Sequence, residues 1–304
     1  MNLRLHNFVG GGTGFIGSAL VDTFRIFGVN TTVVSRMPGP GRITWNELER
    51  CGLPEDISAV INVAGQNILD PRCRWTPGFK QNVWNSRVYT TKTLAKAVVH
   101  TKAETFATIS GVAYYKPSEI EYTEDSKCEK YDFLSELCHE WERAAELSTN
   151  SNIRQFTIRS GVVLGRKGGM IGQIFLPFYF GLGGRIGTGK QYMPWIHIRD
   201  LINLFLFAID TKDVSGILNG VAPQIITNEQ FTKAFAAALW RPAVIPVPTF
   251  LLNMAFHKER AKIMTEGQKV IPKRVLDAGY EYEFPNIDAA CKQFAKLIYI
   301  DDLF

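Results

Sequence analysis

No run in this chain is apolar for long enough to cross a bilayer, and Met1 to Phe8 is too short and polar for a signal peptide. An intracellular protein, in the cytosol or an organelle interior, is expected rather than a secreted or membrane-bound one. Cysteine is scarce: five residues (51, 73, 128, 138, 291), an odd number without a CxxC pair. With only five dispersed histidines, these exclude a recognisable zinc site, so no metal is expected and a reducing compartment is. Charge is not concentrated either. The chain has 34 Lys and Arg against 29 Asp and Glu, for a net charge of +5, and the basic residues are scattered. That balance suits an anionic small ligand and supplies no stripe for nucleic acid. Internal repeats, low-complexity tracts and heptads are missing.

What is present is material for a core. Of 304 residues, 46% are hydrophobic, enough for two domains or one large α/β domain with an appendage. The organising stretch lies near the start: Val9-Gly10-Gly11-Gly12-Thr13-Gly14-Phe15-Ile16-Gly17. An apolar run around Leu3 to Val9 precedes it. Phe15, Ile16, Leu20, Val21, Phe24 and Phe27 follow at helical spacing. Strand, glycine turn, helix is the setting in which such glycines bind a dinucleotide. Gly12 is expected to allow the tight turn, Gly14 to let a pyrophosphate approach the backbone, and Gly17 to let the helix pack closely. The helix N-terminus then offers N–H groups and positive dipole to the phosphates.

The next strand, Thr31 to Val34, ends at Ser35-Arg36, about 20 residues past the turn, where NAD-specific sites carry an acid for the ribose hydroxyls. A hydroxyl and a guanidinium there suit a 2′-phosphate instead, and favour NADP(H). Met37 to Arg42, with two prolines and two glycines, is read as a loop, and Thr44 with Glu47 as a helix N-cap. Ala59 to Gly65 reads as a buried strand ending in small residues, which leaves room for a ligand crossing the sheet edge. Pro77 to His100 reads as one long helix carrying Asn82, Ser86 and Arg87, with Asn82 and Arg87 not quite on one face. Further strands at 105–110 and 155–159 alternate with a helix from Asp132 to Leu147. The glycines of 160–172 imply backbone close to another group. Later, Thr227 opens a helix, 244–248 is extended, and single helices are expected over 251–264 and 287–300. The alternation predicts a Rossmann-type, doubly wound parallel sheet, α/β in class. Its domain spans residues 1–165, with the sheet completed by 194–221, and a smaller mixed α/β substrate lobe occupies mainly 166–304.

These segments together resemble the short-chain dehydrogenase/reductase superfamily in its extended, nucleotide-sugar-epimerase-like form. The glycine motif of residues 11–17 matches that form. Val34-Ser35-Arg36, Pro-Gly-Pro-Gly-Arg (38–42), Asn-Val-Ala-Gly (62–65) and Ser-Gly-Val-Ala-Tyr-Tyr (110–115) narrow the likeness. Arg-Ser-Gly-Val-Val-Leu-Gly (159–165), Pro-Trp-Ile-His-Ile (194–198) and Gly-Gln-Lys-Val-Ile-Pro (267–272) take it to the atypical "epimerase family protein" branch, which has a C-terminal domain of unknown function. The resemblance implies NADP(H) contacts at Gly11, Gly12, Thr13, Gly14, Phe15, Ile16 and Gly17, and at Ser35 and Arg36 by the adenosine phosphate. It also implies Val63 and Ala64 on the third strand, Asn82 and Arg87 on the long helix, and Val162 near the nicotinamide.

One departure stands out. The superfamily's acid–base pair is Tyr-x-x-x-Lys, in which lysine lowers the tyrosine pKa. None of the ten tyrosines has lysine four residues on, and alignment through Trp141-Glu142 puts Leu134 and Cys138 at those positions. Ser110 falls where the substrate-orienting Ser or Thr stands, Tyr114 and Tyr115 offer phenols without a neighbouring lysine, and His197 lies in an apolar strand. Two functions follow as expectations. One is an NADP(H)-dependent oxidoreductase or epimerase-like enzyme acting on an unidentified small molecule. The other is a non-catalytic NADP(H)-binding sensor or scaffold, with a protein partner or a second copy left open.

Overall fold

The computed structural model describes residues 6–148 and 151–296. The chain opens with β1 (His6–Gly10), α1 (Phe15–Ile26), β2 (Asn30–Ser35), β3 (Arg42–Thr44), α2 (Trp45–Cys51) and β4 (Ala59–Asn62). Next come α3 (Pro77–Trp84), a π stretch (Asn85–Tyr89) and α4 (Thr90–Val98). Then follow β5 (Thr105–Gly111), β6 (Ser118–Tyr122), α5 (Phe133–Ala145), β7 (Arg154–Ser160) and β8 (Val162–Gly165). After α6 (Gly169–Tyr179) come β9 (Trp195–His197), α7 (Ile198–Asp210), β10 (Gly216–Gly220) and α8 (Asn228–Ala238). The chain continues through α9 (Thr249–Phe256), α10 (Lys258–Thr265), β11 (Gln268–Val270), α11 (Lys273–Asp277) and α12 (Ile287–Ala295).

Seven strands form one parallel sheet in the order β10-β7-β5-β4-β1-β2-β3. Neighbouring residues on a strand point to opposite faces. Phe8, Val60 and Phe106 therefore join Leu48, Leu94 and Val98 under α2 and α4. Val9, Ile61 and Ala107 join Leu20, Phe24, Leu201 and Phe205 under α1 and α7. Both faces are covered, which is why the strands read as continuous apolar runs rather than alternating ones. A second core forms in the C-terminal part, where Phe175 and Phe178 of α6 meet Phe231 and Phe235 of α8 and Ile287 and Phe294 of α12. Two small parallel pairs, β6 with β11 and β8 with β9, tie later segments to the middle of the chain.

Several expectations change. The strand expected through Gly65 ends at Asn62. The helix from Pro77 is continuous to Val98 but contains the π stretch, and the helix expected over 251–264 breaks at His257 (φ +70°) into α9 and α10. Within 194–221, β10 joins the main sheet whereas β9 pairs with β8 outside it. Arg42 begins β3 instead of ending the loop. The expectations for residues 3–5 and 297–300 lie outside the described residues. Thr44 caps α2 through a reciprocal bond with Glu47, and Thr227 caps α8 with Gln230 in the same way.

Candidate functional site

Sheet growth reverses direction at β1, which lies between β2 and β4, and such a switch point opens a crevice beyond the strands' carboxyl ends. The glycine turn sits there. Gly11 (φ +76°) adopts the left-handed turn conformation, and a Cβ on it would come within 2.6 Å of Ala64 Cα. Gly12 is in the same turn and lies against Val33, whose methyl would be 2.8 Å from an added Cβ. At Gly17 the added atom would be 2.2 Å from Gly11 O, so α1 packs directly onto its own turn. Gly14 differs: an added Cβ there meets only Gly11 O, at 3.3 Å, and the residue is exposed. Exposed Thr13 stands beside it, while Phe15 and Ile16 are half-buried in the first turn of α1. No side chain caps that helix and no acid occupies its first turn, so its N-terminal dipole faces outward unopposed.

At the end of β2, the buried Ser35 Oγ donates to Met37 O at 2.5 Å and so turns into its own loop. Arg36 is exposed and reaches Gln66 Oε1 at 3.5 Å, across the crevice from the β4 side. The end of β4 is held by a buried relay. Asn62 Oδ1 accepts from Ala64 N at 3.1 Å, and Asn62 Nδ2 donates to Thr91 Oγ1 at 2.8 Å. Thr91 Oγ1 also accepts from Trp141 Nε1 at 2.9 Å. Val63 N donates to Gly10 O at 2.9 Å, so Val63 and Ala64 lie against the glycine turn.

The π stretch then brings two consecutive residues to this strand end: Ser86 Oγ accepts from Gln66 N at 2.9 Å, and the Arg87 guanidinium lies over Gly65. Arg87 makes no ion pair among the described residues. It donates to Val83 O at 3.3 Å and stacks over the Trp141 ring at 5.1 Å, and burial draws its pKa down to about 10, opposed by Cys138. Asn82 is exposed on α3 and is not brought to Arg87's neighbours by any hydrogen bond among the described residues.

On β5, Ser110 Oγ is buried beside the Cys138 thiol and has no nitrogen or oxygen partner among the described residues. Burial pushes the Cys138 thiol up to about 12, with Glu142 adding and Arg87 opposing, so it stays protonated near neutrality. Leu134 is buried with it on α5. The two phenols separate. Tyr114 is half-buried between the Arg159 guanidinium, 3.4 Å above its ring, and the stacked His139 ring at 4.2 Å. Tyr115 is fully buried, and burial raises it to about 12.

Tyr115 belongs to a clamp. Glu142 receives both arms of the Arg159 fork at 2.8 and 2.7 Å, and Arg159 Nη1 donates to Tyr115 Oη at 2.9 Å. Tyr115 donates to Asn219 Oδ1 at 2.8 Å, and Asn219 N to Glu124 Oε1 at 3.0 Å. Glu124 Oε2 accepts from Arg274 N at 3.1 Å, which carries the chain of bonds into α11.

Val162 begins β8 half-buried beside Trp195. The glycines of the following turn are close to something specific: the Phe15 ring. Added Cβ atoms at Gly165 and Gly168 would each lie 2.7 Å from it. His197 is buried between Phe284 and Phe294, its Nδ1 accepts from Arg199 N, and burial drops its pKa to about 3. Sequence reasoning passed over Gln66, Thr91 and the partner of Phe15. For Gln66 and Thr91 no spacing signals their place, whereas the glycine cluster at 165–169 did signal a close approach. Among the described residues no group of three His, Cys, Asp or Glu is placed to hold a metal, and no helix is long and apolar enough to cross a membrane.

Residues 8–219 match the model of the NAD dependent epimerase/dehydratase family, and residues 247–294 match a domain of unknown function, DUF1731. The chain is 50% identical over 289 residues to the Bos taurus epimerase family protein SDR39U1, covering 94% of this chain and 98% of that one. It is 32% identical to a chloroplastic Arabidopsis thaliana homologue, over 93% and 85% of the two chains. The crystal structure of human epimerase family protein SDR39U1 (isoform 2) with NADPH superposes with a TM-score of 0.93 at 49% identity, covering 96% of this chain and 99% of that one.

Proposed function

The chain belongs to the NAD dependent epimerase/dehydratase family, and on that premise we propose that it binds NADP(H) and acts as an oxidoreductase or epimerase-like enzyme on a small molecule. The observation that carries this is the pairing of an uncapped, acid-free helix start at Gly14 with exposed Arg36 at the end of β2. The residues suit the cofactor. The N–H groups of Phe15 and Ile16 and the bare face of Gly14 would hold the pyrophosphate. Arg36 would pair with the adenosine 2′-phosphate. Ser35 contributes shape rather than a free hydroxyl, because its Oγ is occupied by Met37. Val63 and Ala64 would line the adenosine side, Arg87 would meet anionic or polar oxygens nearer the centre, and Val162 would border the nicotinamide.

When bound, the nicotinamide supplies hydride transfer. The chain's own contribution at the reacting end is narrow. Ser110 Oγ is a buried hydroxyl with no nitrogen or oxygen partner among the described residues, suited to orient a substrate oxygen. Leu134 holds no proton to exchange, and burial pushes the Cys138 thiol up, so it stays protonated near neutrality. Calorimetric titration tests the reading. A charge-assisted contact to the extra phosphate contributes about 1.5–3 kcal/mol, so NADPH should bind roughly 10- to 150-fold tighter than NADH. Equal affinities would refute the Arg36 assignment, and no binding of either would refute the function.

Leu134 and Cys138 favour a second reading, an NADP(H)-binding sensor or scaffold without turnover. Single-turnover mixing of NADPH-loaded protein with a panel of small carbonyl compounds separates the two: oxidation of the cofactor at a useful rate removes the sensor. Five unpaired thiols fit a reducing compartment, cytosol or organelle interior.

A further inference from the structure

The C-terminal part presents a face that the cofactor crevice does not use. Loop 180–187 runs beside the extended segment 242–249. Val247 N donates to Arg185 O at 2.8 Å, Gly187 N donates to Val247 O at 2.9 Å, and Gly181 lies against Pro242. On this paired edge Phe180 (69%), Leu182 (61%), Trp240 (89%) and Val244 (78%) are exposed, and Phe250 (65%) and Met254 (77%) continue the patch along α9. Helix α9 is almost wholly apolar, yet none of its residues is buried. A helix apolar all round is ordinarily interior. Together with Leu176 and Ile245 these side chains expose on the order of 1,000 Å² of apolar residue.

Charge decides what covers it. Residues 168–184 contain no charged side chain, and 234–257 contain one, Arg241. The rim is cationic. Arg241 donates to the carbonyl oxygens of Tyr179 and Trp240 and pairs with no acid among the described residues, Arg185 is half exposed and 3.7 Å from its one acidic neighbour there, Glu229, and Lys258 and Lys262 stand one turn apart at the start of α10. The single acid of α10, Glu259, turns away and accepts from Trp75 Nε1 at 2.6 Å. A second copy docked about a two-fold axis would oppose like charges across this rim. An apolar face with an exposed tryptophan and a ring of Arg and Lys is instead complementary to the headgroup boundary of an anionic bilayer.

We propose that this face, formed by loop 180–187, segment 240–249 and α9, docks the protein peripherally on an anionic membrane surface. No spanning segment is needed. The test is co-sedimentation of the full chain with vesicles of phosphatidylcholine alone or with about one-third phosphatidylserine. Binding should be about tenfold or more tighter to the mixed vesicles and weaken severalfold in about 0.5 M salt. Trp240 is the one exposed tryptophan of six, so its emission should shift to the blue on binding, and Trp240→Phe should abolish the shift. Phe250→Ser with Met254→Ser should weaken binding about tenfold while circular dichroism and NADPH titration stay unchanged, which separates this face from the cofactor reading. Equal binding to both vesicle types, or binding that survives the double substitution, would overturn the proposal. So would a dimer that the double substitution dissociates, together with no pelleting on vesicles.

Discussion

Replacing Arg159 by leucine isolates the clamp that joins α5, β7, β10 and α11. The Arg159 side chain is 4% exposed and that of Glu142 13%. Arg159→Leu therefore strands a carboxylate out of water and removes a donor from Tyr115. Breaking one side of a buried pair costs about 3–5 kcal/mol. For a chain of this length that lowers the thermal midpoint by roughly 5–10 °C. The same reasoning predicts that removing both charges, in Glu142→Leu with Arg159→Leu, is milder than Arg159→Leu alone, because no lone charge stays buried. Arg159→Lys retains the charge but loses the bidentate fork, and should fall between the double variant and Arg159→Leu. Urea and thermal unfolding followed by circular dichroism measure all four proteins. A single-variant loss below about 1 kcal/mol, or a double variant less stable than Arg159→Leu, would refute the argument that the buried charge dominates.

Other expectations are shorter to state. Arg36→Ala should weaken NADPH roughly 10- to 150-fold and leave NADH and the thermal midpoint unchanged, since Arg36 is exposed and its one side-chain hydrogen bond among the described residues is a long one to Gln66. Calorimetry checks it, and equal losses for both cofactors would mean that Arg36 only packs. Gly14→Ala should fold nearly normally yet lose NADPH, whereas Gly17→Ala, with its Cβ 2.2 Å from Gly11 O, should unfold at lower temperature; paired melting and titration distinguish them.

His197 and Asp200 set opposite pH slopes. Folding lowers His197 from 6.5 to about 3, so the stability it contributes is present above 6.5 and lost as pH falls toward 3. Folding raises Asp200 from 3.8 to about 6, so its contribution is present below 3.8 and lost as pH rises through 6. Asp200→Asn should steepen acid destabilisation between pH 6 and 4 in urea midpoints, and an unchanged slope would count against the burial of that carboxyl.

The sheet was legible because β1, β4 and β5 are buried on both faces and are separated by helical periodicity, so local pattern and final packing agree. Where two patterns fit equally well, legibility ended. Residues 251–264 keep helical spacing through His257, and only the left-handed backbone there divides α9 from α10. The π stretch leaves no mark in composition, yet it is what carries Ser86 and Arg87 together to the end of β4. Strand 195–197 has the apolar character of a sheet strand yet pairs with β8, beside the close approach at Gly161, where a Cβ would meet Pro194 O at 2.7 Å. At the site, residue identity placed Arg36 at the crevice but did not show that Ser35 turns inward. An oxygen's direction is settled by its nearest acceptor, here Met37 O.

The Phe15 ring, seated among Gly165, Gly168 and Gly169, has a consequence for motion. Phe15 opens α1, the helix whose start faces the phosphates, and Gly169 opens α6, whose far end leads into the exposed apolar face. A side chain on Gly165, Gly168 or Gly169 would press on this ring, so the three glycines leave just the room that Phe15 fills between the start of α1 and the start of α6. Were occupancy of the helix start to move α1, the face beyond α6 would feel it, and reciprocity would require the same bias in return.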